Sequence, residues 1–183
     1  MEFVKNLKQA KIIKYMFIAL LGSLLLAISS KIKIPFYPVP MTMQTFVVLF
    51  IGIAFGWRLG LATVLLYLFE GIIGLPVFSG TPEKGLGIVY FTGPTMGYLV
   101  GFTLAAYFAG KFIYNKNLFM NFLKLVFATS FIYIFGMLWL GTLLGWEKQI
   151  FKLGAQPFLL AELFKILIAT LAINHIKKIR KYI

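Results

Sequence analysis

Cysteine is absent from this 183-residue chain, and so is aspartate. Without cysteine there is no disulfide framework, no thiolate metal site and no thioether-linked haem. Five glutamates and a single histidine, His175, are the only acids and imidazole available. Zinc sites need several His, Cys or carboxylate ligands close together, and magnesium-dependent phosphoryl chemistry needs clustered acids. The sequence therefore predicts no metal site, no cofactor and no catalytic residue set of those kinds. No glycine-rich run ends in Gly-Lys-Ser/Thr, which excludes ATP hydrolysis through a P-loop. Charge is scarce as well, at 13% of residues against about 25% in an ordinary soluble domain.

Apolar residues fill the space that charge leaves. The chain is 61% hydrophobic with a mean hydropathy of +0.92. A soluble domain of this size has too little interior to hide so much apolar surface, whereas a bilayer accepts it. The net charge of +13 does not point to nucleic acid. The lysines flank apolar runs and do not form the contiguous basic face that nucleic-acid binding needs.

A hydrocarbon core about 30 Å thick takes about 20 helical residues to cross. Six stretches qualify: Ile12–Ser30, Met41–Trp57, Leu59–Leu75, Pro94–Ile113, Leu125–Leu144 and Pro157–Ile176. The second and third meet at "GWRLG", a tight hairpin with Arg58 at its tip. The first run is long enough to span and lacks a cleavage-site pattern, so no separate signal peptide is expected. The expected fold is an all-α integral membrane protein, six helices in one bundle, forming one domain over residues 1–183.

Six spans place both termini on one side. That side carries Lys5, Lys8, Lys11, Lys14, Arg58, Lys111, Lys116, Lys124, Lys177, Lys178, Arg180 and Lys181, twelve in all. The other side has five: Lys31, Lys33, Lys84, Lys148 and Lys152. The positive-inside rule then puts both termini in the cytoplasm of a multi-pass cell-membrane protein. Two outer loops stand out. "KIKIPFYPVP" has three prolines in six residues and is stiff and extended. "IGLPVFSGTPEKGLGIVYFTG" is long, with five glycines, yet keeps Phe78, Tyr90 and Phe91, too apolar for a disordered tether. Together they are expected to cap a ligand pocket.

The chemistry concentrates in "QPFLLAELFKILIA", Gln156–Ala169. Pro157 suits a first helical turn. At 1.5 Å per residue, Glu162 then lies about 7.5 Å and Lys165 about 12 Å into the bilayer, on roughly one helix face. A charge near the midplane costs at least about 2.5–3.5 kcal/mol and marks a functional site by default. Three readings fit the residues. The pair is an ion pair that fixes packing, or Glu162 carries protons in a coupled carrier. In the third, the pair meets a ligand, with lysine on a carboxylate and glutamate accepting from amide-like N–H groups. A membrane enzyme with Glu162 as general base is the rival class, but no nucleophile or oxyanion device accompanies it. Glu70, near the end of the third span, reads as structural.

"PFYPVPMTMQTFVVLFIG", "GWRLG", "GIIGLPVFSG", "YFTGPTMGYLVGF" and "PFLLAELFKILIA" occur in that order within Ile34 to Ala169. Together they resemble the BioY family, the biotin-specific substrate-binding subunits of energy-coupling factor (ECF) transporters. The resemblance implies biotin bound from outside beneath the outer loops. It also implies, as partners, a transmembrane coupling protein and a pair of ABC ATPases. Glu162 and Lys165 stand where the family has an aspartate and a lysine, with Leu160-Ala161 in place of its Pro-Gly. By position and chemistry, Thr42, Gln44 and Thr95 would serve the ureido carbonyl of biotin, and Phe36, Phe78 and Tyr90 its thiophane ring. Ala19, Ser23 and Ala27 recur every four residues in the first span. Small residues at that spacing admit a close helix. The resemblance makes them a docking face for the coupling protein, while spacing alone equally allows packing inside the bundle.

Overall fold

The structure is a computed structural model; it describes residues 2–183, with side chains from residue 9 onward. Lys5 and Lys8 of the charge count lie outside the residues whose side chains are described. The first helix, α1 (Glu2–Lys31), holds no proline and one glycine, so nothing interrupts it before Lys31. A two-residue antiparallel pair follows, β1 (Lys33–Ile34) with β2 (Met41–Thr42), Lys33 opposite Thr42. The proline-rich stretch is thus the loop of a small hairpin and not one extended segment. Proline donates no ladder hydrogen bond, so pairing is confined to the residues outside it.

The next helix, α2 (Gln44–Ile72), has two arms, 44–55 and 57–72, bent at Gly56 (φ 78°, ψ 171°). That backbone region is almost exclusive to glycine. The arms fold back on each other: a Cβ built on Gly60 would lie 3.2 Å from the Cα of Gly52. Near the open end, Gln44 Nε2 donates to Tyr67 Oη at 2.7 Å. The spans expected at Met41–Trp57 and Leu59–Leu75 are these arms, with two shifts. The helix starts at Gln44 because Met41 and Thr42 belong to β2. The bend falls at Gly56, two residues before Arg58, which is exposed and packs over the Trp57 ring at 4.9 Å.

Then come α3 (Met96–Lys111) and α4 (Leu118–Leu144). Asn117 caps α4 by accepting from Met120 N at 3.1 Å, and Gly145, at φ 93°, ends it. A short helix that sequence reading did not foresee, α5 (Ile150–Gly154), precedes a 3₁₀ turn, Gln156–Phe158, that carries Pro157. The last helix is α6 (Leu159–Ile179). The chain is all-helical apart from the small strand pair. Four segments are long and apolar enough to cross a bilayer: Gln9–Lys31, Gln44–Ile72, Leu118–Leu144 and Ile150–Ile179. This differs from the six expected because the two arms of α2 are contiguous. The fourth expected span also loses Pro94 and Thr95 to a loop, leaving α3 only 16 residues.

Glycines let α3 sit against both neighbours. A Cβ on Gly101 would lie 2.5 Å from Ile132 Cα in α4, and one on Gly110 would lie 2.4 Å from Trp57 N in α2. The outer loop 73–93 is tied down from several helices. Lys31 Nζ donates to the carbonyls of Phe78 (2.9 Å) and Thr81 (3.2 Å), and Ser30 Oγ to that of Val77 (2.8 Å). Trp139 Nε1 of α4 holds the far end through Gly93 O at 2.9 Å. Lys31, one of the five basic residues counted on the side opposite the termini, is therefore the tether of this loop.

Candidate functional site

Beneath the tied loop lies a cavity with about 530 Å³ of empty space between its walls, part of it open to the outside. The proline hairpin contributes Val39 to Thr42, α2 contributes Gln44 and Thr45, and the outer loop contributes Ser79 and Tyr90. Thr95, Tyr98 and Phe102 come from the α3 side, Tyr133 from α4, and Phe158 and Glu162 from the start of α6.

Pro157 and the 3₁₀ turn set Glu162 into the first turn of α6, where the positive end of the helix dipole favours a carboxylate. Glu162 is 3% exposed. Its Oε1 accepts from Lys165 Nζ at 2.6 Å and from Thr45 Oγ1 at 2.7 Å. Lys165, one turn further on, also donates to Thr42 O at 2.6 Å and Thr45 Oγ1 at 3.1 Å. The pair is thus locked to the start of α2 as well as to itself. The second carboxylate oxygen, Oε2, is buried with no hydrogen-bond partner, and so is Ser79 Oγ. An unpaired buried polar atom costs about 1–3 kcal/mol, more when charged. Glu162 lines the cavity together with the rings of Tyr90, Tyr98, Phe102, Tyr133 and Phe158.

The sequence-nominated residues divide. Thr42, Gln44, Tyr90, Thr95 and Glu162 all line the cavity. Lys165 stands behind Glu162, outside the walls, with its ammonium directed at three protein acceptors. Phe36 is 39% exposed and touches the site only through Phe158, edge-on at 5.7 Å. Phe78 is fully buried behind Tyr90, stacked on it at 4.8 Å, so it supports the wall and does not form it. Tyr90 donates to Ser79 O at 2.5 Å, and burial pushes its phenol above the usual tyrosine range, which keeps it a donor. Ala19 and Ser23 are buried within the chain itself, and Ser23 Oγ donates to Glu70 Oε1 at 2.9 Å. The small stripe of α1 is therefore used for packing on α2, with Ala27 half-buried beside it.

Sequence reading missed Thr45, Ser79, Tyr98, Phe102, Tyr133 and Phe158. Thr45 had a signal, since it ends the quoted "VPMTMQT". The aromatic residues had none, because a chain with 20 phenylalanines and 9 tyrosines offers no contrast. Among the described residues no group of three His, Cys, Asp or Glu side chains is placed to hold a metal.

The chain is similar to the probable biotin transporter BioY of Pyrococcus horikoshii, 33% identical over 141 residues, covering 77% of this chain and 82% of that one. It is also similar to the biotin transporter BioY of Thermotoga maritima, 33% identical over 156 residues, covering 85% and 90%. Among solved structures, the crystal structure of the S-component for biotin from an ECF-type ABC transporter superposes with a TM-score of 0.76. The identity there is 21%, with 92% of this chain and 93% of that chain covered, so the likeness speaks for the fold. The sequence profile of the BioY family matches residues 4–182. With the motif order, the helical fold and nearly the whole length in agreement, this chain belongs to the BioY family.

Proposed function

We propose that the chain is the membrane-embedded biotin-binding component of an ECF-type ABC transporter. It takes biotin from outside and delivers it with a transmembrane coupling protein and a pair of ABC ATPases. It is a transport protein and not an enzyme. The observation that carries the ligand reading is Glu162 Oε2, a buried carboxylate oxygen with no hydrogen-bond partner among the described residues, on a residue that lines a cavity with five aromatic side chains in its walls. The ureido ring of biotin offers two N–H donors, and one of them satisfies this oxygen. Gln44, at the same wall, serves the ureido carbonyl with its second Nε2 proton, one being donated to Tyr67 Oη, while the Thr42 hydroxyl proton is already given to Gln44 Oε1. The thiophane ring and valerate chain lie among Tyr98, Phe102, Tyr133 and Phe158. Lys165 has no proton left for the valerate carboxylate. That group instead reaches the loop side, where Ser79 Oγ and Thr95 can donate.

Six crossings and cytoplasmic termini in the cell membrane complete the reading. The back-folded arms of α2 count as two passes, and α3 as a short one. Lys14 of α1 donates to Tyr182 O at 2.6 Å, which brings the two ends of the chain to one face. The twelve-to-five distribution of basic residues supports that face being inside.

The test is calorimetric titration of the purified protein with biotin, beside Glu162→Gln. A charged hydrogen bond is worth about 1.5–3 kcal/mol, so the variant should bind at least about tenfold more weakly. Failure of the parent protein to bind biotin would overturn the ligand. Binding by the parent with no change in Glu162→Gln would overturn the role of Glu162.

A further inference from the structure

At the end of the molecule away from the ligand cavity, α3, its link to α4 and the last turns of α6 enclose an open concavity. It has about 1310 Å³ of empty space. Six cations converge on it: Lys111, Lys116, Lys177, Lys178, Arg180 and Lys181, and no carboxylate is in the lining. Among the described residues the sole ion pair is Lys165–Glu162, so none of the six is paired with a carboxylate of the described residues.

The local geometry does not account for the charge. Helix C-termini favour cations, but each supplies only about half an elementary negative charge, and the ends of α3 and α6 together supply about one. Arg180 already answers that field. Its Nη2 donates to the carbonyls of Gly52 (3.3 Å), Ile53 (2.8 Å) and Gly110 (3.2 Å), the orphan acceptors where α3 and the first arm of α2 end. Lys111 is held by Tyr107 Oη at 2.9 Å. Lys116, Lys177, Lys178 and Lys181 find no acceptor among the described residues, so their ammonium groups face the concavity or its rim. Beside them Ile113 is 84% exposed, and Phe112 and Tyr114 line the wall. An anion that fits carries several acceptor oxygens on an apolar body.

We propose that this concavity is a headgroup site for an anionic phospholipid, its phosphate among Lys116, Lys177, Lys178 and Lys181 and its acyl chains along Ile113. The site is independent of the biotin reading, since it lies at the opposite ends of α3 and α6. It differs from a diffuse attraction of lysines to a charged leaflet in being local: four particular side chains should carry most of it.

The experiment is native mass spectrometry of the full chain in neutral detergent, titrated with phosphatidylglycerol or with phosphatidylcholine of the same acyl chains. Phosphatidylglycerol should be retained at least about tenfold better, since several basic residues engage its charge. The triple variant Lys177→Ala, Lys178→Ala, Lys181→Ala should lose that preference, and the corresponding triple arginine variant should keep it. Lys148→Ala with Lys152→Ala, two lysines from the link on the far side, should keep it too. Melting temperature checks that the alanine variant remains folded. Equal retention of the two lipids overturns the proposal, and so does equal loss in the Lys148/Lys152 variant. Competition by glycerol phosphate at the concentration of the lipid overturns the lipid assignment in favour of a free phosphate ester.

Discussion

Lys165 directs all three ammonium protons at the protein, to Thr42 O, Thr45 Oγ1 and Glu162 Oε1. An ammonium has no fourth donor. The charge pattern of α6 alone invites the reading that lysine takes the ligand's carboxylate, but this geometry gives lysine a different task. We propose that it neutralises and orients Glu162, whose Oε2 has no hydrogen-bond partner among the described residues. Lys165→Ala would then strand a buried carboxylate, a change that costs about 3–5 kcal/mol when it breaks a buried pair. Biotin and biotin amide should weaken alike, because the ureido ring is common to both. Binding of the two ligands to parent and variant measures this. A loss at least about tenfold larger for biotin than for its amide would return lysine to the carboxylate.

Close approach of α3 is decided by single hydrogen atoms on glycine. Gly97 and Gly101 are one turn apart on the face toward α4, and at Gly101 an added methyl group would meet Ile132 Cα at 2.5 Å and Phe131 O at 2.8 Å. Both are backbone atoms, so neither can rotate away, and the helices would have to part. Tyr98 and Phe102, which line the cavity, sit one residue beyond each of these glycines. Gly101→Ala should therefore destabilise by about 1–3 kcal/mol, the usual cost of overpacking, and weaken biotin binding with it. Thermal unfolding in detergent with and without biotin reads both effects. An unchanged melting temperature would mean that the α3–α4 seam has slack. The stripe Ala19, Ser23 and Ala27 illustrates the same physics in α1, where small residues bring a helix against α2 and Ser23 reaches Glu70.

Across the whole molecule, polarity is split between a loop-capped end and a basic end. The loop-capped end carries Lys31 and Lys84 and the ligand cavity; the basic end carries the concavity on α3 and α6 and the meeting of Lys14 with Tyr182. If the basic end is cytoplasmic, a cysteine at exposed Glu83 should react with an impermeant thiol reagent on whole cells. One at Tyr182, which is 79% exposed, should react only after the cells are opened. The native chain contributes no cysteine background. The reverse pattern would invert both the orientation and the direction of uptake.

The sequence by itself determined the solvent, the helical class, the family and the acid–base pair. Each rests on composition, on local spacing or on motif order, which need no knowledge of distant contacts. It also nominated five of the cavity residues: Glu162 by its charge inside an apolar helix, and Thr42, Gln44, Tyr90 and Thr95 by their position in the family's motifs together with their chemistry. Only the tertiary structure decided which aromatics face the cavity. Phe78 turned out to back Tyr90, a choice made by the path of the loop, while Tyr98 and Tyr133 form walls through the rotation of α3 and α4; neither is visible where apolar residues surround every position. Only the fold could show that Lys165 is saturated, since two of its three acceptors lie 123 and 120 residues away in sequence. Hydrogen-bond satisfaction is a property of neighbours in space, and a sequence lists only neighbours along the chain.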